Sequence, residues 1–381
     1  MNPLSTSTLH IDLAAYRRNL QCIKGQIGAE CNILPVVKAN AYGHGVLPLA
    51  EAAIAEKVST LAVATVAEGL ELRSAYPAIP ILVLVQPSDD ELMPAIQNGL
   101  HLTLSDLNTA ERVGELASKM NRIVSVHCEI DTGMGRQGFM LDAEPKAILK
   151  VTRISNVDIE GIYTHFPDAD QDDATFTLYQ IKTFGQQLKD LSDLGIPFET
   201  AHAANSAAIL NHPTSYFDLV RPGIITYGVY PNNIVPEDTP FRPVASWTTR
   251  IVLVRDIPAG VDISYGRTYR TVNSERIAVI PVGYADGYPR ALSNLAEVII
   301  RGVRCPVRGT VTMNETMVDV SQVQNADVGD SVTLIGADGN ERIRVEELAH
   351  KCDTIGYEIL TGIGPQVARN YIQVTAMAET S

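Results

Sequence analysis

Eight short apolar runs recur along the chain as far as residue 228, and this repetition constrains the fold more than any other feature. Helix-forming stretches such as "LPLAEAAIAE" and "LNTAERVGELASKM" separate most of them. Apolar runs that alternate with helical segments indicate buried parallel strands joined by right-handed crossovers. Eight such units favour an α/β fold, a (β/α)8 TIM-type barrel of roughly 250 residues, over an open doubly wound sheet. The runs occupy 33–38, 60–65, 80–85, 99–104, 123–130, 158–165, 197–202 and 219–228.

The pattern changes after about residue 240. Stretches such as "FRPVASWTTRIVLVRDIPAG" and "RIAVIPVGYADG" are strand-like and are separated by Gly, Pro and Asp turns, without helix-length crossovers. The proline-rich segment "YPNNIVPEDTPFRP" at 230–243 has the composition of a linker. We therefore predict a barrel over 1–240 and a second, C-terminal mainly β domain over 241–381.

Composition excludes several classes of protein. The net charge of -14 argues against a nucleic-acid partner, because phosphate binding needs a basic surface. No apolar stretch approaches the roughly 20 residues that span a bilayer, and the N-terminus lacks the basic and apolar blocks of a signal peptide. The five cysteines are scattered without a CxxC pair, which indicates reduced thiols and no zinc site. These features predict a cytoplasmic protein that binds neither nucleic acid nor membrane.

Polar side chains stand where the predicted strands end. In a barrel, functional side chains gather at the carboxyl ends of the strands. Lys38 ends the first run in "PVVKANAYGHG", and a buried amine without a partner loses its proton and becomes a nucleophile for carbonyl groups. The other strand-end candidates are Glu129, Asp131, Arg136, His165, His202, Asn205, Ser206 and Arg221.

The last two strands end in "HAANSAA" and "RPGIITYG", in the part of a barrel that usually binds phosphate. These loops contain no lysine, so Ser206, Gly223 and the amide of Ile224 are the candidate donors to phosphate oxygens. An amine and a phosphate cradle on one rim suit pyridoxal 5′-phosphate (PLP), whose aldehyde would join Lys38 as an imine. A sugar-phosphate aldolase offers the same two features. Arg221 is the candidate partner of a ring nitrogen, and an aldolase would not need it.

Eight motifs, in order and over nearly the whole chain, resemble those of the alanine racemase family. They are "VVKANAYGHG", "DTGMGRQG", "GIYTHF", "HAANSAA", "RPGIITYG", "SYGRTY", "PVGYADGYPRALSN" and "GYEIL". The resemblance implies a PLP-binding barrel, a C-terminal β domain and a head-to-tail homodimer. It also implies interconversion of L-alanine and D-alanine, with each active site combining one subunit's barrel with the other subunit's β domain.

The resemblance assigns two catalytic bases. Lys38 corresponds to the PLP lysine, and Tyr265 in "ISYGRTY" to the second base, donated across the dimer. One base cannot reach both faces of a planar intermediate, so a base on each side satisfies the geometry of racemisation. His165 corresponds to the residue that hydrogen-bonds the tyrosine, with Arg221 behind it. An arginine facing the pyridine nitrogen stays protonated, so the ring is a weaker electron sink and side reactions are suppressed.

The remaining roles follow from the same resemblance. Arg136 corresponds to the residue that contacts the ring hydroxyl and the substrate carboxylate, and Met313 of the partner subunit to one whose amide contacts that carboxylate. Tyr284 corresponds to a constriction of the entry corridor. His44 receives no chemistry and Asp319 is interpreted as structural. The expected cofactor ligands are Lys38, Tyr42, His165, Asn205, Ser206, Arg221, Gly223, Ile224 and Tyr357.

Several positions depart from the family pattern. Glu129 stands where many members carry a carbamylated lysine, and we hypothesise that its carboxylate supplies the same negative charge beside Arg136. Asp168 replaces a small residue near the narrow end of the corridor. Asp168 and the other variable corridor positions lie around substrate entry, and they leave open a broader racemase that accepts serine or cationic amino acids. The other variable corridor positions are Thr310, Thr312, Asn314 and Glu315.

Three other functions compete with racemisation. A PLP-dependent decarboxylase of the same two-domain plan would usually place a glutamate opposite the pyridine nitrogen, where this chain has "RPGI". A PLP carrier built on the barrel alone needs no second proton donor such as Tyr265. An imine aldolase would need neither Arg221 nor Tyr265. Loss of optical rotation from L-alanine without release of CO₂ separates racemisation from all three.

Overall fold

A computed structural model describes residues 5–141 and 144–373 of the chain. The described residues divide into two compact units. We call Leu20–Ala41 with Val46–Thr226 the barrel unit. The segments up to Asn19, Tyr42–Gly45 and from Tyr227 onward form the β unit.

The helices and strands follow the chain closely. The helices are α1 (Leu13–Ile27), α2 (Lys38–Tyr42), α3 (Val46–Ala55), α4 (Val66–Ala75), α5 (Asp89–Gln97), α6 (Leu107–Lys119), α7 (Glu144–Val151), α8 (Thr175–Asp193), α9 (Ser206–Asn211), α10 (Val345–Lys351) and α11 (Gly356–Gly362). The strands as far as the end of the barrel are β1 (Ser7–Asp12), β2 (Asn32–Ile33), β3 (Leu61–Val63), β4 (Ile81–Val83), β5 (His101–Leu104), β6 (Val124–Asp131), β7 (Phe139–Met140), β8 (Val157–Tyr163), β9 (Thr200–His202) and β10 (Leu219–Val220).

The later strands are joined mostly by turns. They are β11 (Ala245–Arg250), β12 (Leu253–Ile257), β13 (Asp262–Ile263), β14 (Tyr269–Arg270), β15 (Glu275–Ile280), β16 (Glu297–Ile300), β17 (Val303–Pro306), β18 (Thr316–Asp319), β19 (Ser331–Asp338), β20 (Glu341–Ile343) and β21 (Ala368–Ile372). Short 3₁₀ turns cover Ile224–Tyr227, Tyr265–Arg267 and Tyr284–Asp286.

Among the described residues of the barrel unit, eight parallel strands follow the order β2-β10-β9-β8-β6-β5-β4-β3, and the short β7 pairs in parallel with β6 beside them. A parallel bridge between Val36 and Ala62 joins the two ends of this order and closes the ring. Strands such as β3 and β4 are buried at every position, as parallel strands covered by helices require. The predicted TIM-type barrel is therefore confirmed, and each of the eight strands overlaps one of the predicted runs.

Polar residues fix the starts of several barrel helices. Asp106 caps α6 by accepting the Thr109 N–H at 2.8 Å. Thr65 and Glu68 form a capping box at the start of α4. The Glu68 carboxylate also accepts a hydrogen bond from outside α4, from the Ala39 N–H at 2.6 Å. This last bond anchors the backbone immediately after Lys38.

The β unit contains a larger sheet in the order β17-β16-β19-β11-β1-β21, with β20 paired to β19. Its first strand, β1, pairs antiparallel with β11 and parallel with β21, so the start of the chain completes the sheet of the C-terminal region. Trp247 and Tyr288 lie edge to face at 6.1 Å in its core. Smaller sheets combine β12, β15 and β18, and β13 with β14. The mainly β character predicted for this region is confirmed.

Candidate active site

Lys38 lies at the carboxyl-end rim of the barrel, at the start of an unusual turn. Ala39, Asn40, Ala41 and Tyr42 all have φ between 51° and 53°, which is the left-handed region. Side chains other than glycine pay roughly 1–2 kcal/mol per residue for this conformation. The turn is held by the Glu68 bond to Ala39 and by Asn40, whose Oδ1 accepts the Val46 N–H at 2.8 Å. Such overdetermined strain is typical of functional sites.

The surroundings of Lys38 favour a neutral amine. Partial burial lowers its pKa, and the positive charge of Arg136 lowers it further, while Glu68 opposes both. A lysine that loses its proton more readily than usual has a lone pair available for attack on a carbonyl carbon. The lowered pKa agrees in direction with the nucleophile expected from the sequence, whose role stays a prediction.

Arg221 is 3% exposed and is surrounded by acceptors. Its Nη1 donates to His202 Nδ1 at 2.8 Å, and its Nη2 donates to the Thr164 carbonyl at 2.7 Å and the Ala203 carbonyl at 2.9 Å. The guanidinium also lies 5.1 Å from the centre of the Tyr163 ring. Burial lowers the pKa of Arg221 to about 10, although Tyr163 and Glu129 oppose the shift. The group consequently remains a charged donor at neutral pH.

His165 is a third neighbour of Arg221, with Nδ1 at 3.1 Å from Nη2. Because a guanidinium can only donate, His165 Nδ1 must be unprotonated and the proton of the neutral ring lies on Nε2. Burial lowers the pKa of His165 well below its usual value, and the charges of Arg221, Arg136 and Lys38 lower it further. His165 is thus a neutral residue with a fixed N–H donor.

The candidate phosphate loops contact each other through Ser206. Its buried hydroxyl accepts the Gly223 N–H at 2.9 Å and the Ile225 N–H at 3.3 Å. Asn205 caps α9 by accepting the Ala208 N–H at 3.0 Å. Ile224 starts the 3₁₀ turn that follows Gly223. These contacts join the loops that follow β9 and β10, and they give Asn205 and the Gly223 N–H structural tasks within the chain.

Glu129 is almost fully buried and is held by three neighbours. Tyr163 donates its hydroxyl to Oε2 at 2.8 Å, Gln137 donates its amide to the same oxygen, and Arg136 Nη2 lies 3.9 Å from Oε1. Burial raises the pKa of Glu129, while the two hydrogen bonds and the charges of Arg221 and Arg136 act in the opposite direction. The hypothesis that Glu129 stands beside Arg136 agrees with this arrangement.

The motif "DTGMGRQG" folds into a tight loop that carries Arg136. Asp131 Oδ1 accepts the N–H groups of Gly133 at 2.9 Å and Gly135 at 3.1 Å. Gly138 has φ +122°, and a Cβ there would lie 2.8 Å from the Asp131 nitrogen. The glycine at this position is required by both backbone conformation and space. Asp131 therefore supports the loop that presents Arg136.

In the β unit, Tyr42 belongs to a buried aromatic cluster. Its ring lies 4.8 Å from that of Tyr227 and 6.0 Å from that of Tyr357. Burial raises the pKa of Tyr42, and Tyr357 and Tyr16 raise it further. His44 stacks on Tyr227 at 4.6 Å, and its Nδ1 lies 3.0 Å from the Tyr42 carbonyl, consistent with a structural histidine. Tyr227 was missed by the sequence reasoning because a tyrosine in an apolar run has no distinguishing signal.

Tyr265, Met313 and Tyr284 are exposed in the β unit, by 73%, 56% and 43%. Tyr265 follows Ser264, which has φ +64°, and its carbonyl accepts the Thr310 hydroxyl at 2.8 Å. The Met313 carbonyl accepts the Ala285 N–H at 2.9 Å, so the loops that carry Tyr284 and Met313 are joined through their backbones. Three large side chains from three different segments are thus exposed on loops whose backbones are hydrogen-bonded within the β unit.

Asp168, the variable corridor position, and Asp319, interpreted as structural, both have identifiable contacts. Asp168, in the barrel unit, accepts the Thr177 hydroxyl at 3.2 Å. Asp319, in the β unit, contacts Arg308 at 3.4 Å and the Ser321 hydroxyl at 2.6 Å. The Asp319 contacts agree with a structural role.

Comparison with known proteins gives a consistent result. The model of the alanine racemase N-terminal domain matches residues 11–231, and that of the alanine racemase C-terminal domain matches 244–371. An alanine racemase of Halothermothrix orenii is 43% identical over 363 residues, which is 95% of each chain. No helix in the described part of this chain is long and apolar enough to cross a membrane.

Solved structures agree in fold over nearly the full length. The alanine racemase of Clostridium difficile superposes with a TM-score of 0.92 at 35% identity, over 98% of this chain and 97% of that chain. An alanine racemase of Bartonella henselae with covalently bound pyridoxal phosphate has a TM-score of 0.87 at 30% identity, over 97% and 100% of the two chains. Both family domains, full-length identity and fold therefore agree that this chain is a member of the alanine racemase family of isomerases.

Proposed function

We propose that this chain interconverts L-alanine and D-alanine with PLP as its cofactor. The observation that carries the proposal is the rim of the barrel unit, where a lysine with a lowered pKa and a buried, hydrogen-bonded arginine occupy positions of the family motifs. Relatives named alanine racemase, at about 40% identity over the full length, support the same activity.

The donors in the barrel unit fit PLP. Lys38 would attach the cofactor, and Arg221 would face its ring nitrogen as a donor. The loop formed by Asn205, Ser206, Gly223 and Ile224 would receive the phosphate. By the resemblance, Tyr42 and Tyr357 are further phosphate contacts. When bound, PLP supplies the electron sink that makes the Cα–H bond of an amino acid acidic.

Arg221 limits the strength of that sink. A guanidinium that donates to His202 and two carbonyls cannot transfer a proton to a pyridine nitrogen without losing its charge in a buried site. A weaker sink shortens the life of the carbanionic state, so return of a proton to Cα competes well with transamination. This choice of residue suits a racemase better than a decarboxylase.

Two bases would exchange the proton on opposite faces of Cα. Lys38 Nζ would act on one face, and Tyr265 of the partner subunit would act on the other within a homodimer. His165 presents an Nε2–H donor that suits hydrogen bonding to a phenol oxygen. The exposure of Tyr265 leaves its hydroxyl available to a second subunit. We assign this contribution to the C-terminal region, 241–381.

Substrate contacts would come from a loop of the barrel unit and from loops of the partner subunit's β unit. Arg136 would bind the substrate carboxylate, and Met313 of the partner subunit would contact it through its amide. Tyr284 would narrow the entry to the site. A reducing, cytoplasmic setting is consistent with the five cysteines, all of which are free thiols.

The Glu129 carboxylate would be a permanent anion that orients the Arg136 guanidinium. We expect Glu129→Gln to raise KM for alanine and lower kcat/KM by about 10- to 100-fold, because Arg136 would lose the charge 3.9 Å away. Steady-state racemisation in both directions measures this. Glu115→Gln, on an exposed part of α6, is the matched control and should leave KM unchanged. A normal KM in the Glu129→Gln enzyme would end the hypothesis.

The decisive test of the activity combines spectroscopy and polarimetry. The purified protein with PLP should show an absorbance band that Lys38→Ala abolishes, and it should remove the optical rotation of L-alanine without releasing CO₂. A panel with serine, lysine and arginine tests whether Asp168, Thr310, Asn314 and Glu315 broaden specificity. Release of CO₂ would indicate a decarboxylase, and an unchanged rotation would overturn the proposal.

A mixing experiment tests the shared site. Lys38→Ala and Tyr265→Phe chains are each expected to be inactive or nearly so. When they are unfolded and refolded together, hybrid dimers should regain activity, because one of their two sites has both bases intact. A mixture that stays at the level of the separate variants would argue against a partner's tyrosine.

A further inference from the structure

A chain of buried polar groups leads from Arg221 through the barrel interior. Arg221 Nη1 lies 2.8 Å from His202 Nδ1, and His202 Nε2 lies 2.9 Å from His127 Nδ1. His127 Nε2 lies 4.0 Å from one Glu160 oxygen, and the other Glu160 oxygen lies 2.7 Å from His101 Nδ1. His127, His202 and Arg221 are at most 3% exposed, so water does not substitute freely for these contacts.

The proton positions along this chain follow from the chemistry of Arg221. A guanidinium has no acceptor, so His202 Nδ1 must be unprotonated and the proton of neutral His202 lies on Nε2. That N–H donates to His127 Nδ1, so the proton of neutral His127 also lies on Nε2. The direction of donation is therefore the same at every link, from Arg221 toward Glu160.

The far end of the chain needs an acceptor. His127 Nε2 has no hydrogen-bond partner among the described residues, and the Glu160 carboxylate is the anion in front of it. A small rotation of the Glu160 side chain would shorten this 4.0 Å separation to hydrogen-bond distance. The close contact with His101 lowers the pKa of Glu160, which favours the ionised carboxylate. His101, Glu160, His202 and Arg221 are the charged or titratable groups that act on His127.

The fold makes room for this arrangement at Gly161. A Cβ at Gly161 would lie 2.2 Å from His127 Nδ1, the atom that accepts from His202. Tyr163, two residues further along β8, stacks on His202 at 4.8 Å with the ring planes 6° apart. The same strand thus provides the space for one imidazole, the packing surface for the next and the terminal carboxylate.

We propose that Glu160, supported by His101, is a positioning residue that acts through His127 and His202 to hold Arg221 as an oriented, charged donor. The effect on catalysis rests on the proposed function, whereas the proton positions do not. Glu160 supplies a negative charge and a final acceptor at one end, which matches the positive donor at the other end. The buried imidazoles transmit this polarity because each has a single allowed tautomer.

The proton positions also exclude a metal at this cluster. His101, His127 and Glu160 bring their ligand atoms within 4.8 Å of one another. A metal on His127 Nε2 would need the lone pair there, which would move the proton to Nδ1. His202 would then face donors on both sides and would have to lose its last proton. Hydrogen bonding to Arg221 and metal binding by His127 are therefore mutually exclusive.

Histidine-selective ¹⁵N NMR of the protein without cofactor tests the proton positions directly. The chain has eight histidines, and two-bond ¹H–¹⁵N couplings distinguish the two neutral tautomers. His127 and His202 should both be neutral with the proton on Nε2. Glu160→Gln, which keeps an acceptor oxygen, should preserve both tautomers and shift the His127 signals. A proton on Nδ1 of either histidine would overturn the proposal.

Two further variants separate positioning from packing. Glu160→Lys places a donor at both ends and should break the link between His127 and His202, with a visible tautomer change at His127. Gly161→Ala should displace the His127 ring without changing any charge. With PLP bound, Glu160→Lys should lower kcat by about 3- to 30-fold with little change in KM, because the altered group acts through Arg221 and does not contact substrate.

Asp158→Asn is the matched control, because Asp158 is exposed on the same strand two residues before Glu160. It should change neither the spectrum nor kcat. Zinc binding by the cofactor-free protein should be the same for wild type and His101→Asn. Zinc binding that depends on His101 and Glu160 would overturn the proposal in favour of a metal site. If the protein fails to racemise alanine, the proposed function fails while the NMR result still tests the chain of protons.

Discussion

Arg221, His165 and Lys38 in the barrel unit are buried or half-buried, whereas Tyr265, Met313 and Tyr284 in the β unit expose 73%, 56% and 43% of their surface. Arg221 and His165 have polar atoms paired within the chain, as burial requires. The β-unit residues are held through their backbones instead, and their side chains remain uncovered. Folding therefore fixes the polar side chains of the barrel unit, whereas in the β unit it fixes the backbone and leaves these three side chains exposed.

This contrast has an electrostatic counterpart. Burial and neighbouring charges shift the pKa values of Lys38, Arg221 and His165 in the direction of the neutral form. Such perturbation by desolvation and specific charges is characteristic of functional sites. Substitutions in the barrel unit should consequently affect both activity and stability, whereas substitutions at the exposed residues should affect activity alone.

The largest expected effect is that of Lys38→Ala. We expect racemisation to fall by about 10⁴-fold or more, because the variant lacks the amine that would attach PLP. Stopped-time chiral analysis of the product measures the loss, together with the absorbance of added PLP. Lys24→Ala, an exposed lysine of α1, is the control. Substantial activity in the Lys38→Ala enzyme would remove the nucleophile from its proposed place.

Arg221→Met should damage activity and stability together. The substitution leaves the Thr164 and Ala203 carbonyls and His202 Nδ1 without their buried donor, which should lower the free energy of unfolding by about 3–5 kcal/mol. Activity should fall by about 10²- to 10³-fold. Denaturant unfolding and racemisation assays measure the two effects. Arg250→Met, an exposed arginine of β11, should change neither by a comparable amount.

Tyr265→Phe should lower activity while leaving stability nearly unchanged. We expect racemisation to fall by about 10²- to 10⁴-fold. The free energy of unfolding should change by less than about 0.5 kcal/mol, because the side chain is 73% exposed. Tyr179→Phe, at a tyrosine that is 54% exposed, controls for loss of a surface hydroxyl. A large loss of stability in Tyr265→Phe would contradict the contrast between the two units.

A smaller effect is expected on the free energy of unfolding when the pH is lowered. Burial lowers the pKa of His127 from 6.5 to about 4, so the unfolded chain binds a proton that the folded chain does not. The stability from this group is fully present above pH 6.5 and is lost as the pH falls toward 4, by about 3 kcal/mol. His165 and His202 have lowered pKa values and act in the same direction.

Urea unfolding at a series of pH values between about 7 and 4.5 measures this loss. His127→Gln should reduce the slope of stability against pH, since one of the titrating groups is gone. His350→Gln, an exposed histidine at the end of α10, should leave the slope unchanged. A slope that does not respond to His127 would place the acid sensitivity elsewhere.

Much of the fold could be predicted because its signals are local. Each barrel strand is a short apolar run between helix-forming segments, and counting eight of them was sufficient. The position of Lys38 at a strand end was equally local. The pairing of β1 with β11 and β21 could not be predicted in this way, because its partners lie more than 200 residues away and it resembles any edge strand.

The candidate site shows the same division. Strand-end positions and motifs were sufficient to select Lys38, Arg136, His165 and Arg221. The four left-handed residues after Lys38 include no glycine and therefore gave no sign of their conformation. The Ala39 N–H donates to the carboxylate of Glu68, a residue of α4 that lies 29 positions further along the chain.

The sequence by itself determined the strand count, the family and the chemical character of the rim, since these depend on residue type and local order. The tertiary structure alone decided which buried groups face one another: His202 against Arg221, His127 against His202, and Glu160 beyond them. Such contacts join side chains of parallel strands that are adjacent or separated by one strand, and no single stretch of sequence specifies the register of these strands. Hydrogen-bond direction and protonation follow from that register, because a donor-only guanidinium at one end fixes every proton behind it.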